Sequence, residues 1–174
     1  MDSGIVIERV QTPDPATIAG LADVTVDCVS GGASIGFMEP FGLEEARAFW
    51  TGVSDRLADG GRLLYVARDA DGIVGTVQGV FAEMPNQPHR ADIAKMQVHR
   101  RARKQGVGAK LIAGAENGAR DAGRTILVLD TVTGSDAYRL YQKLGYQRVG
   151  EIPDFALWPD GGFCPTTFFW KRHV

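Results

Sequence analysis

The stretch 91–131 constrains what this chain can fold into more than any other part of it. It reads as a strand, "ADIAKMQV", a basic loop, "HRRARKQGVG", an apolar-periodic helix from about Val107 to Ala122, and a second strand, "RTILVLDT". Val107, Leu111, Ile112, Ala115 and Ala119 recur near one helical face, as burial against a sheet requires. A strand–helix–strand crossover of this kind is right-handed and makes its two strands parallel. It also turns the helix N-terminus toward the carboxyl edge of the sheet. There, first-turn amides without partners and the positive end of the helix dipole suit anionic oxygens.

The flanking sequence supplies more layers. Residues 4–10 read as a strand, followed by a helix to about Val29 that Thr12 or Asp14 can cap, with Pro15 in its first turn. A second helix is expected from Leu43 to Ala58. Strand-like runs at 62–69 and 72–83 are joined by a turn at Asp71-Gly72. After the crossover come a helix over 135–144, a strand over 145–152, and a hairpin over 154–173 that turns at "PDGG". No repeat or linker divides the chain, so one domain over 1–174 is expected, an α/β (α+β) fold on a mixed sheet.

Several function classes fall away at this level. The net charge of −2 argues against a polyanion binder, although five of the six residues at 99–104 are basic. That short, isolated cluster suits a small phosphorylated ligand better than a nucleic acid, which calls for a wider basic surface or interleaved aromatics. Cys28 and Cys164 form no CxxC pair, and His89, His99 and His173 have no ligand spacing, so no metal site is expected. No run approaches the roughly 18 apolar residues of a membrane span, and the N-terminus lacks a basic flank. A cytoplasmic setting is therefore expected, with no membrane partner.

Three glycine-rich designs compete for the phosphate. A Walker loop fails, because Arg103 stands where its first glycine belongs and Ala109 where its lysine belongs. The dinucleotide fingerprint needs a third glycine where Leu111 stands, although Asp130 lies about where a ribose-binding acid would. The pattern R/Q-x-x-G-x-G/A is met at every defined position from Arg103 to Gly108.

On these residues the chain resembles the GNAT superfamily of acetyl-CoA-dependent N-acetyltransferases. A second family signature, A-x-x-L-Y-x-K-x-G-F/Y, is matched by "AYRLYQKLGY", Ala137 to Tyr146. The segments "GGASIGFM", Asp130-Thr131, "RVGEIP" and "PDGGFCPTTFFWK" look like the tabtoxin-resistance branch, which acetylates a small amino-acid-like toxin. The resemblance spans nearly the whole chain. It implies a mostly antiparallel sheet of about seven strands flanked by about four helices. Acetyl-CoA would be the co-substrate, without a metal, and a homodimer is compatible with the family.

The resemblance also implies roles. Backbone amides of Lys104, Gln105, Gly106, Val107, Gly108 and Ala109 would cradle the pyrophosphate, with Arg103 adding charge. Main chain of Met96, Gln97 and Val98 would pair with the pantetheine arm. Gly134 stands where many members carry an asparagine, which leaves Ser135 to make that contact. Tyr141 is the candidate general acid, since a phenol near pKa 10 stays protonated while a thiolate near 8.5 departs. Tyr138, one turn earlier, lies outside the motif position. For the base, placement points to Asp130, at the end of an apolar strand, and to Asp92. Strand alternation puts Asp92 on the face of Ala94, Met96 and Val98. The loop 31–42 reads as the acceptor wall, with Ser34, Phe37 and Glu39 as candidate contacts.

The expected reaction is direct acetyl transfer to a small, amino-acid-like amine, with detoxification as one role. A protein or peptide amino group as acceptor, and a non-catalytic acyl-CoA-binding module, remain as alternatives.

Overall fold

The computed structural model describes residues 4–173. In chain order the elements are β1 (Val6–Arg9), α1 (Pro15–Ser30), α2 (Leu43–Leu57), β2 (Arg62–Asp69), β3 (Gly72–Phe81), β4 (Arg90–Val98), α3 (Val107–Asp121), β5 (Ile126–Val132), α4 (Asp136–Lys143), β6 (Gln147–Leu157) and β7 (Phe163–Arg172). The seven strands form one sheet in the order β1-β2-β3-β4-β5-β7-β6. Only β4 and β5, the two strands of the crossover, run parallel.

Local chemistry sets the boundaries. Of the two possible caps for α1, Asp14 serves: its carboxylate accepts from the Thr17 amide at 2.7 Å, with Pro15 opening the helix. Glu45 reaches back to the Gly42 amide at 3.1 Å and opens α2. The β2–β3 turn is Ala70-Asp71, one residue earlier than expected. Asp69 pairs with Gly72 across the hairpin, and its side chain accepts from the Asp71 amide at 2.9 Å. The expected strand over 145–152 and the hairpin arm after it are one strand, β6. Its register breaks between Ile152 and Ala156, where Pro153 has no N–H to donate and Asp154 takes a φ of 54°.

Helices cover both faces of the sheet. On one, α3 and α4 pack against Ala91, Ile93, Leu127, Leu129 and Phe169, and all five residues expected on the buried face of α3 are buried there. On the other, α1 and α2 bury Leu21, Trp50, Leu64, Val66 and Ile73. Within this second layer the Trp50 indole donates to Thr25 Oγ1 at 2.9 Å, and the Thr25 hydroxyl donates to Gln97 Oε1 at 2.8 Å. That chain fastens both helices to β4 where no water competes.

A bulge in β4 overturns one expectation. Ala94 pairs with Gln78 and Gln97 with Thr76, so Lys95 and Met96 together face the single residue Val77. Lys95 takes a φ of 51° to do so. One extra residue reverses the alternation. Asp92 and Ala94 therefore share the α1 side with Gln97, whereas Met96 and Val98 join Ala91 and Ile93 on the α3 side. Asp92 is thus not on the face of Met96 and Val98.

Candidate active site

The parallel strands part company. β4 and β5 are paired only where Arg90–Asp92 meets Ile126–Val128, and beyond that point they splay. The β5-facing edge of β4 after Asp92 is left without a strand partner. A cavity of about 850 Å³ fills the gap and is lined from both faces of the sheet. Met96, Val107, Gly108, Leu140 and Tyr141 line it from the α3/α4 side; Ser34, Ile35, Asp92, Lys95, Asp130 and Phe155 line it from the α1/α2 side.

The α3 side has the features of an anion cradle. Lys110 is the first residue of α3 to bond back, to the Gly106 carbonyl at 3.1 Å, which leaves the preceding amides at the helix start without a helical acceptor. Gly106 caps the helix at a φ of 77°, a left-handed conformation that costs glycine nothing, and Lys104 adopts a φ of 61° beside it. A Cβ on Gly108 would come within 2.9 Å of Leu140, so glycine keeps this wall open. Backbone donors, positive dipole and open wall fit a pyrophosphate.

The basic cluster contributes less than its sequence suggests. Arg100 is held by Asp27 at 2.8 Å, Arg101 by Asp69, and His99 lies 3.6 Å from Asp27. Only Arg103 and Lys104 of the five line the cavity, and Arg103 Nε donates to the Val98 carbonyl at 3.0 Å. Carboxylates already neutralise the arginines that a nucleic acid would need. The Gln105 side chain turns away to the Arg101 carbonyl at 3.1 Å and does not line the cavity. Ser135 lines it, but its hydroxyl is engaged in capping α4, accepting from the Tyr138 amide at 3.1 Å.

Tyr141 is buried, yet it lines the cavity, and its hydroxyl makes no hydrogen bond to the described residues. Burial pushes its pKa well up, and the Asp130 charge adds to the rise, so the phenol is a proton donor at neutral pH. Tyr138 does not line the cavity and packs edge-on against Phe169 instead. Across the sheet, Asp130 lines the cavity with its side chain open to solvent. Burial raises its pKa, the Lys95 ammonium offsets part of the rise, and Asp92 adds to it. Asp92 is held by Arg90 at 2.6 Å.

The expected acceptor contacts separate. Ser34 lines the cavity and donates to the Leu157 carbonyl at 2.6 Å. Phe37 lies outside it, its ring packed on Phe41 and Phe49, and the Glu39 side chain is exposed away from it. Sequence reasoning missed Lys95, Phe155, Trp158 and Phe168, all of which line the cavity. The one available signal was a lysine within the otherwise apolar run "IAKM". Among the described residues no group of His, Cys, Asp and Glu could hold a metal ion, and no helix is long and apolar enough to cross a membrane.

A splayed parallel pair with free helix-start amides on one side and titratable groups on both can hold a phosphorylated ligand beside groups that move protons. The acetyltransferase (GNAT) domain family matches residues 60–148, about half of the chain. An uncharacterised N-acetyltransferase from the hisH-hisA intergenic region of Azospirillum brasilense is 30% identical over 128 residues, covering 72% of this chain and 74% of that protein. A Salmonella typhimurium structure solved with its cofactor acetyl-CoA superposes with a TM-score of 0.77 at 17% identity, over 98% of this chain and 95% of that one. A ribosomal-protein-alanine N-acetyltransferase from Brucella melitensis gives 0.78 at 22% identity, over 96% and 99%. The chain belongs to the GNAT acetyltransferase family, and it is an acetyl-CoA-dependent N-acetyltransferase of that type.

Proposed function

We propose that this enzyme acetylates the amine of a small, amino-acid-like molecule held on the α1/α2 side of the cavity, by direct transfer without an acyl-enzyme. One observation carries the reading: a through-sheet cavity with Tyr141 entering from one face and Asp130 from the other. When bound, acetyl-CoA supplies an activated acyl group as a thioester. The amides at the start of α3 bind its pyrophosphate, and the free edge of β4 orients its arm toward the bulge. Asp130 takes a proton from the incoming ammonium, a task suited to a carboxylate whose pKa lies above the ordinary range. The Tyr141 hydroxyl gives a proton to the departing thiolate. Acid and base reach the reacting atoms from opposite faces, so neither has to neutralise the other.

A loop fastened at several points over the α1/α2 side supports a small molecule. The 31–42 loop is tied down by Ser34 to the Leu157 carbonyl, by Lys95 to the Ile35 carbonyl, and by the Glu39 amide to the Pro159 carbonyl at 2.8 Å. Both charge signs are present there in Asp130 and Lys95, which suits a molecule carrying an amine and a carboxylate. Resemblance to the tabtoxin-resistance branch supports the same class and a detoxifying role.

The test is thiol release from acetyl-CoA against amino acids, amino-acid-like toxins, polyamines, aminoglycosides and peptides, with Tyr141→Phe and Asp130→Asn alongside. Turnover of one small-molecule class, lost in both variants, is the expected result. Turnover of peptides alone would replace the small acceptor with a protein one.

A further inference from the structure

We propose that Lys95 is a positioning residue that clasps the acceptor loop, residues 31–41, against the β4 bulge and so fixes how the acceptor amine meets Asp130. The proposal rests on the acceptor-side assignment just made.

The backbone gives the first indication. Lys95 sits at a φ of 51° at the bulge, a left-handed conformation that is strained for a non-glycine residue. In return, the bulge re-aims the side chain toward the α1/α2 face. There the ammonium donates to the Ile35 carbonyl at 2.7 Å and lies 5.3 Å from the Phe37 ring centre and 5.7 Å from that of Phe49. Those rings continue the chain of contact. Phe37 stacks on Phe41 at 4.5 Å and meets Phe49 at 5.1 Å, and Phe49 meets Trp50 at 5.1 Å. One lysine therefore joins the strand beside the reacting centre to the loop and to α2.

Gly36 records how tightly the clasp is drawn. It takes a φ of 95°, and a Cβ placed on it would lie 3.0 Å from Lys95 Nζ. A side chain at 36 would strain this backbone conformation and push the end of the lysine aside. An apolar side chain at 95 could meet the rings but not the carbonyl.

Lys95 also faces the groups that handle the proton. Asp130 is surrounded by Lys95 of β4, by Asp92 on the same strand with its partner Arg90, and by Tyr141 of α4. Burial lowers the pKa of Lys95, the Asp130 charge opposes that, and Arg62 reinforces it. The Lys95 charge in turn pulls the Asp130 pKa down against its burial and against Asp92. Removing the charge moves Asp130 further up.

Three variants separate the clasp from packing. In Lys95→Met, loop amides 31–41 of the unliganded enzyme should exchange with deuterium about tenfold faster, and the KM for the amine should rise about tenfold. The acid limb of kcat/KM should move to higher pH, while the Kd for acetyl-CoA stays within about twofold. Gly36→Ala should loosen the loop and raise the amine KM without moving the limb, because the charge remains. Lys95→Arg should return the limb toward its original position. Unchanged loop exchange in Lys95→Met overturns the proposal, as does a limb that stays where it was. If Lys95→Met does not fold, unchanged exchange and KM in Gly36→Ala overturn it instead. Deuterium exchange needs no substrate, so the clasp is decided even if no amine on the panel is acetylated, an outcome that would count against the small-amine assignment alone.

Discussion

The two mouths of the cavity are built from different materials. On the α3 side main-chain amides, a helix dipole and glycines stand beside the side chains of Met96, Leu140 and Tyr141. On the α1/α2 side the contacts are side chains: Asp92 and Lys95 from β4, Asp130 from β5, Phe155 from β6, Phe168 from β7, and Ser34 from the loop after α1. Backbone recognition tolerates sequence drift and suits a ligand that does not change. Side-chain recognition changes with single substitutions, so, with the proposed assignment of the α3 side as donor mouth and the α1/α2 side as acceptor mouth, the acceptor mouth is where one fold can acquire a new substrate without disturbing the donor.

Substitutions should break the two mouths in different ways. The largest effect is expected from Gly108→Val, which fills the donor mouth against Leu140. Its affinity for acetyl-CoA should fall by about 1,000-fold in calorimetric titration, roughly 4 kcal/mol. Tyr141→Phe should lower kcat by about 100-fold while the Kd for acetyl-CoA hardly changes. That split would sharpen the distinction between holding the donor and using it.

Asp130→Asn should lower kcat/KM by about tenfold or more and remove the acid limb of the pH profile. It should also raise Tm at neutral pH. Folding raises the pKa of Asp130, so the folded state favours the protonated carboxyl and is destabilised once the group must ionise. The gain from asparagine should therefore fade as the pH falls through the raised pKa of Asp130 and be gone below about 4, where both states are protonated.

Thr25→Val should leave both mouths chemically intact and cost stability alone. It strands the Trp50 indole and the Gln97 carbonyl oxygen, a loss of about 2 kcal/mol and so about 6 °C in Tm by calorimetry. Gln105→Ala should do least. Its side chain points away from the cradle, and the Kd for acetyl-CoA should stay within about twofold.

The same division decided what the sequence could reveal. The donor mouth is nearly contiguous, and a turn that needs small residues before an apolar helix leaves a readable pattern from Arg103 to Gly108. The order of elements and the buried face of α3 followed from periodicity for the same local reason. The acceptor mouth joins residues more than 100 positions apart, such as Ser34 and Leu157, and no local spacing encodes that contact. The face of Asp92 was misread because a single inserted residue at Lys95 inverts the alternation downstream, and nothing in "AKMQV" marks the bulge. The basic cluster was over-read, since the carboxylates that hold Arg100 and Arg101 come from Asp27 and Asp69, far away in the chain.

The strand order holds a consequence for how the enzyme comes into being. β7 lies between β5 and β6 although it is made after both, and it contributes Thr166 and Phe168 to the acceptor wall. Until β7 docks, the outer edge of β5, carrying "ILVL", is bare. Such an edge invites pairing with any other strand nearby. Docking of β7 caps that edge and completes the α1/α2 wall of the cavity in one event.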